Sequence, residues 1–281
     1  MPMNFQIYRP SASLHPYVKQ YYSWQDDNHG TSSIPQNLIS LGDQYLLFIH
    51  KGTVTCKPKN HSAFTLPYAS VIGHFNCASQ LKVSGPVDIT VIQLNAYGAY
   101  RLIGLCMHTL TNYYRDLYKL QQPAWETLGR TLQDGIQQSL LGNILDNALT
   151  AILDTPRPLQ QIDVITEFLL KQNGNTGIDY LSRRFDISRP TLERRFMEVV
   201  GLPPTLYTRM LRFKAAMRNL QQVSFPQWTA FLQNNGYYNE AVFIKDYLYF
   251  NGQSPSFFEP AINTTITAML PHTDMHVAAA G

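Results

Sequence analysis

The chain has three cysteines, Cys56, Cys77 and Cys106, with no CxxC pair and no Cys/His cluster. A scattered, odd set indicates neither a disulfide framework nor a zinc site. Charge is also sparse: charged residues make up 15% of the chain, the net charge is +3 and the pI is about 8.6. That balance names no partner by itself. No uninterrupted apolar run approaches the roughly 18 residues of a membrane helix. The opening "MPMNFQIYRP" lacks the basic-then-apolar pattern of a secretion signal. The expectation is a reducing, cytoplasmic protein with no membrane partner. Asp26 and Asp27 are adjacent acids beside Asn and Gly, which reads as a loop and not as an acid/base pair. Without a catalytic triad or ligand set, neither a cofactor nor an enzymatic activity is expected.

What the chain does have is apolar and aromatic material, 44% and 12% of its residues, enough for packed cores. Its charge is also unevenly placed. From Arg183 to Arg218 there are nine Lys/Arg against three Asp/Glu, whereas 219–260 holds one Lys and three acids. A basic block of this kind is an electrostatic footprint for nucleic acid, although a solvated helix face gives the same count.

Residues 1–95 read as mostly β. Short β-branched and aromatic runs at 44–50, 53–57, 69–75, 80–85 and 87–95 are punctuated by Gly, Pro and Asn, the pattern of a sandwich or small barrel. From Tyr97 the period lengthens, and the Leu/Ile spacing over 125–153 predicts one long amphipathic helix. "TPRP" at 155–158 marks a boundary, 159–260 is helical in pattern, and 261–281 reads as a mobile tail. The fold class expected is α+β, with domains at 1–155 and 159–260.

An internal repeat organises the helical part. "ISRPTLERRFMEVVGLPP" (187–204) aligns with "YNEAVFIKDYLYFNGQSP" (238–255), pairing Ser188 with Asn239, Leu192 with Phe243, Phe196 with Tyr247, Gly201 with Gly252 and Pro204 with Pro255, each pair 51 apart. Ser188 and Asn239 are N-cap types, and the glycines stand where a left-handed C-terminal residue is needed. Leu192, Phe196 and Val199 make one inward stripe, and Phe243, Tyr247 and Phe250 make the other. The outward faces are Arg189, Pro190, Glu193, Arg194 and Met197, then Glu240, Ala241, Ile244, Lys245 and Leu248. A shorter helix precedes each copy, led by Ile178 and Leu181 and by Trp228 and Phe231. Such pairs describe helix-turn-helix units. Between them, Leu206, Met210, Phe213 and Met217 mark a continuous helix over 205–222.

On "IDYLSRRFDISRPTLERRF", "LRFKAAMRNL" and "GYYNEAVFIKDY…GQSP", the segment from Asp163 to Pro260 resembles the AraC/XylS family of bacterial transcription regulators. The resemblance implies two helix-turn-helix units joined by a long helix, with reading helices in successive major grooves of double-stranded DNA. Carried over, the base-reading positions are Pro190, Glu193 and Arg194, then Glu240, Ala241 and Lys245. Phosphate contacts fall to Arg183, Arg184, Arg189 and Arg195. Arg194 is suited to grip guanine O6 and N7, and Glu193 to accept from a cytosine amino group or to orient Arg194. The second unit departs from the family pattern: Leu232 stands where the first has the small Ser182, and Leu248 and Tyr249 replace basic residues.

The N-terminal region resembles the cupin-like sensor domains fused to such units, on "PYVKQYYSW", "YLLFIH" and "NAYGAYRLIG". It lacks the His-x-His motif of enzymatic cupins; His50, His61 and His74 are scattered, which reads as polar or core histidines and no metal site. Tyr22, Trp24, Tyr45 and Phe48 are the candidate lining of a ligand pocket, although aromatics in β-domains mostly fill cores. The function implied is transcription regulation, activation ahead of repression, with a small-molecule effector or a homodimer at the N-terminal domain and RNA polymerase as a further partner. The alternative is an effector-binding or protein-interaction module whose second unit no longer reads DNA.

Overall fold

The computed structural model describes residues 4–27, 31–32, 41–134, 136–153, 159–221 and 227–252. The expected boundary at 155–158, Pro255 and the tail at 261–281 lie outside them. Strands β1 (Asn4–Tyr8), β2 (Val18–Asp26), β3 (Thr31–Ser32), β4 (Gln44–Pro58), β5 (Phe64–Thr65), β6 (Ala69–Ile72), β7 (Ser79–Leu94) and β8 (Tyr114–Asp116) form one antiparallel sheet. Its main path runs β1-β2-β7-β4-β6-β8, with β3 added to β7 and β5 to β4.

Two strand boundaries expected from sequence are bends and not breaks. β4 and β7 each merge two of the expected runs and pair from Gln44↔Leu94 to Pro58↔Ser79, with register shifts around Lys51. Gly52 and Gly85 sit at the bend with φ of +89° and +84°. A Cβ on Gly52 would stand 2.8 Å from the Pro86 carbonyl oxygen, so the close strand approach requires glycine there.

The two faces of the sheet bury different sets, as period-two alternation demands. Tyr22, Trp24, Tyr45, Leu47, Ile89 and Val91 share one cluster. Their neighbours Tyr21, Leu46, Phe48 and Ile92 belong to another, which runs on without interruption into the helices. Each such buried side chain contributes about 1.5–3 kcal/mol.

Helix α1 (Gly98–Ile103) leaves the sheet, followed by α2 (Pro123–Gln133) and α3 (Leu141–Leu153). The single helix expected over 125–153 is therefore two. The first ends at Gln133 with Asp134 as its C-cap, and a short 3-10 turn at Gln138–Leu140 precedes the second. Helices α4 (Gln161–Lys171), α5 (Ile178–Arg184), α6 (Arg189–Val199), α7 (Pro204–Leu220), α8 (Trp228–Asn234) and α9 (Glu240–Asn251) complete the chain. Among the described residues, no helix is long and apolar enough to cross a membrane.

Candidate nucleic-acid interface

The repeat holds in three dimensions. In α5–α6 the Ser188 hydroxyl accepts from the Thr191 N–H at 3.4 Å, and Pro190 occupies the first turn, where its missing N–H has no helical partner to lose. In α8–α9 the Asn239 side chain accepts from the Val242 N–H at 3.0 Å. Leu192, Phe196 and Val199 are buried, as are Phe243, Tyr247 and Phe250. Both glycines after α6 and α9 are left-handed, Gly201 at φ +90° and Gly252 at +80°. The turns within the units repeat too. Asp186 and Gly236, each with positive φ, occupy equivalent places, and a Cβ on Gly236 would lie 1.8 Å from the Asn175 side-chain oxygen. Ser182 and Leu232 are placed alike; Leu232 is buried, while the Ser182 hydroxyl is buried without a hydrogen-bond partner.

α7 joins the units and is fixed to the second by charge and rings. Arg209 donates to Asp246 Oδ1 from Nε at 3.0 Å and from Nη2 at 2.6 Å, and the Tyr237 hydroxyl donates to Oδ2 at 3.3 Å. Phe213 stacks on Phe250 and meets Tyr247 edge-on, at 5.2 and 5.9 Å between centroids.

The basic block therefore divides. Arg209 and Arg212 serve the buried Asp246, and Lys214 reaches the buried Asp43 at 3.2 Å. Arg195 is bound to Glu198 at 2.8 Å and to the Gln160 side chain at 2.8 Å. Arg183, Arg184, Arg189, Arg194 and Arg218 are exposed. Arg184 lies over the Phe168 ring at 4.7 Å and donates to the Tyr180 hydroxyl, which holds it out on the α5 surface. On α6, Arg194 is 69% exposed and projects with Pro190. Glu193 is bound to Arg189 at 3.1 Å; the carboxylate near Arg194 is Glu198, at 3.9 Å. So Glu193 does not orient Arg194. Burial would raise the Glu198 carboxyl, but hydrogen bonds from Tyr100 and Arg195 and the charges of Arg195 and Arg194 outweigh it and hold it low.

The second face is sparser in charge. Glu240, Ala241, Val242, Lys245, Leu248 and Tyr249 are exposed on α9, with Tyr238 before its cap 90% exposed.

The sheet domain grips both units, which sequence periodicity did not reveal. Arg101 on α1 meets Asp163 on α4 at 2.5 Å, both buried. Burial pushes the Asp163 carboxyl up despite the Gln160 N–H and the Arg101 charge. Tyr97 donates to Glu167 at 2.6 Å and Tyr100 to Glu198 at 2.8 Å. Thr111 donates to the Gly201 carbonyl at 2.7 Å, and Lys59 to the Gly252 carbonyl at 3.4 Å. Asp43 takes Lys19 from β2 at 2.8 Å as well as Lys214 from α7. Burial alone would raise Asp43, yet the two ammonium groups hold it well below the usual carboxylate range. A recess of about 370 Å³ beside this junction is lined by Cys106, His108, Arg194, Met197 and Glu198.

Of the candidate pocket aromatics, Tyr22, Trp24 and Tyr45 come together on one face of the sheet, and Phe48 points to the other. All four are fully buried, with the Trp24 indole N–H lacking a partner. The Tyr22 hydroxyl donates to Gln93 at 2.6 Å, and Gln93 donates to Asp43 at 2.6 Å, so this cluster ends in the Lys19–Asp43–Lys214 bridge. The histidines remain apart. His50 bonds Tyr68 and Thr90, His74 is buried beside Gln44, and His61 is exposed. Burial brings His74 down to about 4. Among the described residues no group of three His, Cys, Asp or Glu could hold a metal ion.

Residues 6–116 match the model of a domain of unknown function, DUF6597. No curated protein matches the chain. Among solved structures it is similar to ToxT from Vibrio cholerae, at 10% identity over 91% of this chain and 97% of that one, with a TM-score of 0.43. An unsaturated fatty acid-bound ToxT from strain SCE256 of that species aligns at 10% identity over 91% and 94%, with a TM-score of 0.41. The AraC-like transcriptional activator CuxR aligns at 13% over 74% and 75%, with a TM-score of 0.27. The family model thus covers the sheet domain, and the solved structures align with the chain at low identity.

Proposed function

We propose that the chain is a sequence-specific, DNA-binding transcription regulator of the AraC/XylS type, acting in the cytoplasm and favouring activation. The carrying observation is the duplicated, capped helix pair with Arg194 projecting from the first copy at 69% exposure. A bidentate arginine–guanine contact needs a side chain held on a helix face and free at its tip. Arg183, Arg184 and Arg189 contribute phosphate contacts, which position the helix without reading sequence. Pro190 and Glu193 flank Arg194 in the groove; Ala241, Lys245 and Glu240 belong to the second unit. The cupin-like sheet domain serves as sensor or dimerisation module, its effector site centred on Tyr22, Trp24 and Tyr45, and RNA polymerase is the partner on DNA.

The test is selection of duplexes from a random pool, followed by fluorescence anisotropy on selected and scrambled DNA. Arg194→Ala should cost about 5- to 150-fold on selected DNA, matching a bidentate base contact of about 1–3 kcal/mol, and much less on scrambled DNA. Equal losses on both would make Arg194 a phosphate residue, and absence of salt-sensitive binding would overturn the DNA function itself.

A further inference from the structure

The outward arc of α9 has a composition that α6 lacks. At 100° per residue, Leu248, Ala241, Lys245, Tyr249 and Val242 follow one another around about a third of the helix, and all are exposed. Leu248 and Val242 keep 44% and 39% of their surface in water. In the equivalent arc of α6, 51 residues earlier, stand Met197, Pro190, Arg194, Glu198 and Thr191. The sheet domain covers part of that first arc, through Tyr100 on Glu198 and the recess at Cys106. On α9 the sheet domain reaches the C-terminal carbonyl of Gly252, and among the described residues the arc itself is exposed.

This mostly apolar arc has few groups to read donors and acceptors on base edges, namely Lys245 and the hydroxyl of Tyr249, whose ring lies under the Arg209 guanidinium at 5.4 Å. It can read the one apolar group in the major groove, the thymine C5-methyl, against which Ala and other apolar side chains pack. Lys245 supplies a charge for phosphate or for a base acceptor, and Glu240 stands off this arc at the first turn. The duplication favours DNA over another occupant: α9 repeats the capped start, buried stripe and left-handed glycine of α6, so its outward arc is the counterpart of the one that carries Arg194. α7 holds α9 through Arg209–Asp246 and the Phe213 ring stack.

We propose that the second unit is a thymine-methyl reader, with Ala241, Val242 and Leu248 as its specificity-determining residues; this rests on the DNA-binding function proposed above. The preferred site then has unequal halves. One carries a guanine set by Arg194, and the other carries thymines set by α9.

The experiment uses the full chain and a selected duplex in which thymine is replaced by deoxyuridine, which removes the methyl and keeps the hydrogen-bonding edge. The half-site of the first unit is identified as the one whose preference Arg194→Ala flattens. Uracil in the other half should weaken binding about fourfold per contacted methyl, the value of one buried carbon. Uracil in the Arg194 half should change affinity by less than about twofold, within the scatter of an uncontacted methyl. Leu248→Ala, at an exposed position, should reduce the uracil penalty at its own thymine, as coupled partners do. Specific binding that is indifferent to uracil in both halves overturns the inference while leaving the DNA function intact, and assigns the arc to a protein partner. A uracil penalty unchanged by Leu248→Ala, Val242→Ala and Ala241→Gly alike also overturns it, because the effect would then lie in duplex deformability. Loss of all salt-sensitive binding fails the function itself, and the two failures are therefore distinct.

Discussion

Replacing Arg183, Arg184 and Arg189 together by glutamine probes how many of the basic residues meet DNA. Only exposed cations can release counterions, and each phosphate neutralised contributes about 0.9 to the slope of log K against log salt. Arg183 is exposed, and Arg184 is held out over Phe168, so both should count in full. Arg189 must first leave Glu193 at 3.1 Å and Asp179 at 3.9 Å, which reduces its share. The slope should therefore fall by about 1.8 to 2.7. Between 50 and 200 mM salt, that means the variant loses about 10- to 40-fold less affinity than the wild type. Anisotropy titrations over that salt range on one selected duplex measure it. Arg195→Gln is the internal control. Its guanidinium is tied to Glu198 and Gln160, so the slope should move by less than about 0.3, a third of one contact. If Arg195→Gln flattens the slope as much as the triple variant, or the triple variant leaves it unchanged, this division of the basic block is wrong.

Asp246→Asn should destabilise the protein by about 3 kcal/mol, the low end for breaking a buried ion pair, because Arg209 keeps a third of its surface in water. Urea denaturation reads this, and a loss below about 0.5 kcal/mol, the size of a neutral surface change, would leave the anchoring of α9 to its apolar and ring contacts. Stability should also fall with acidity through His74. Its folded-state value of about 4 lies below the ordinary 6.5, so its contribution is present above pH 6.5 and is lost as pH drops towards 4. A shift of that size corresponds to about 3 kcal/mol. His74→Asn should remove that part of the slope; an identical pH profile in the variant would assign it to His50, whose value burial also lowers.

The repeat was legible because its signals are local. Caps, left-handed glycines and inward stripes lie within fourteen residues in each copy, and all survive in α6 and α9. The turn residues Asp186 and Gly236 fit the same logic. By contrast, Gly52 and Gly85-Pro86 carry the signature of a strand end, and only the partner strand across the ladder turns that signature into a bend. The Leu/Ile period of 125–153 continues through Asp134-Gly135, so periodicity alone concealed the break. The fate of the basic block was not legible at all. Asp246 lies 37 residues from Arg209 and Asp43 lies 171 from Lys214, and no spacing rule connects them. The four candidate aromatics, grouped in the sequence, are separated by the sheet, since Phe48 shares a strand with Tyr45 but sits three positions along and so faces the other way.

The contacts of Thr111 on Gly201 and of Lys59 on Gly252 give the sheet a metrological role. The distance between α6 and α9 is set once along α7 and again through the sheet, which touches the last carbonyl region of each. Two independent routes between the same ends make a closed caliper. Its jaws keep their opening while both routes agree, and a displacement of either Thr111 or Lys59 strains the other route. The separation of α6 and α9 is then a property of the whole chain, the sheet included.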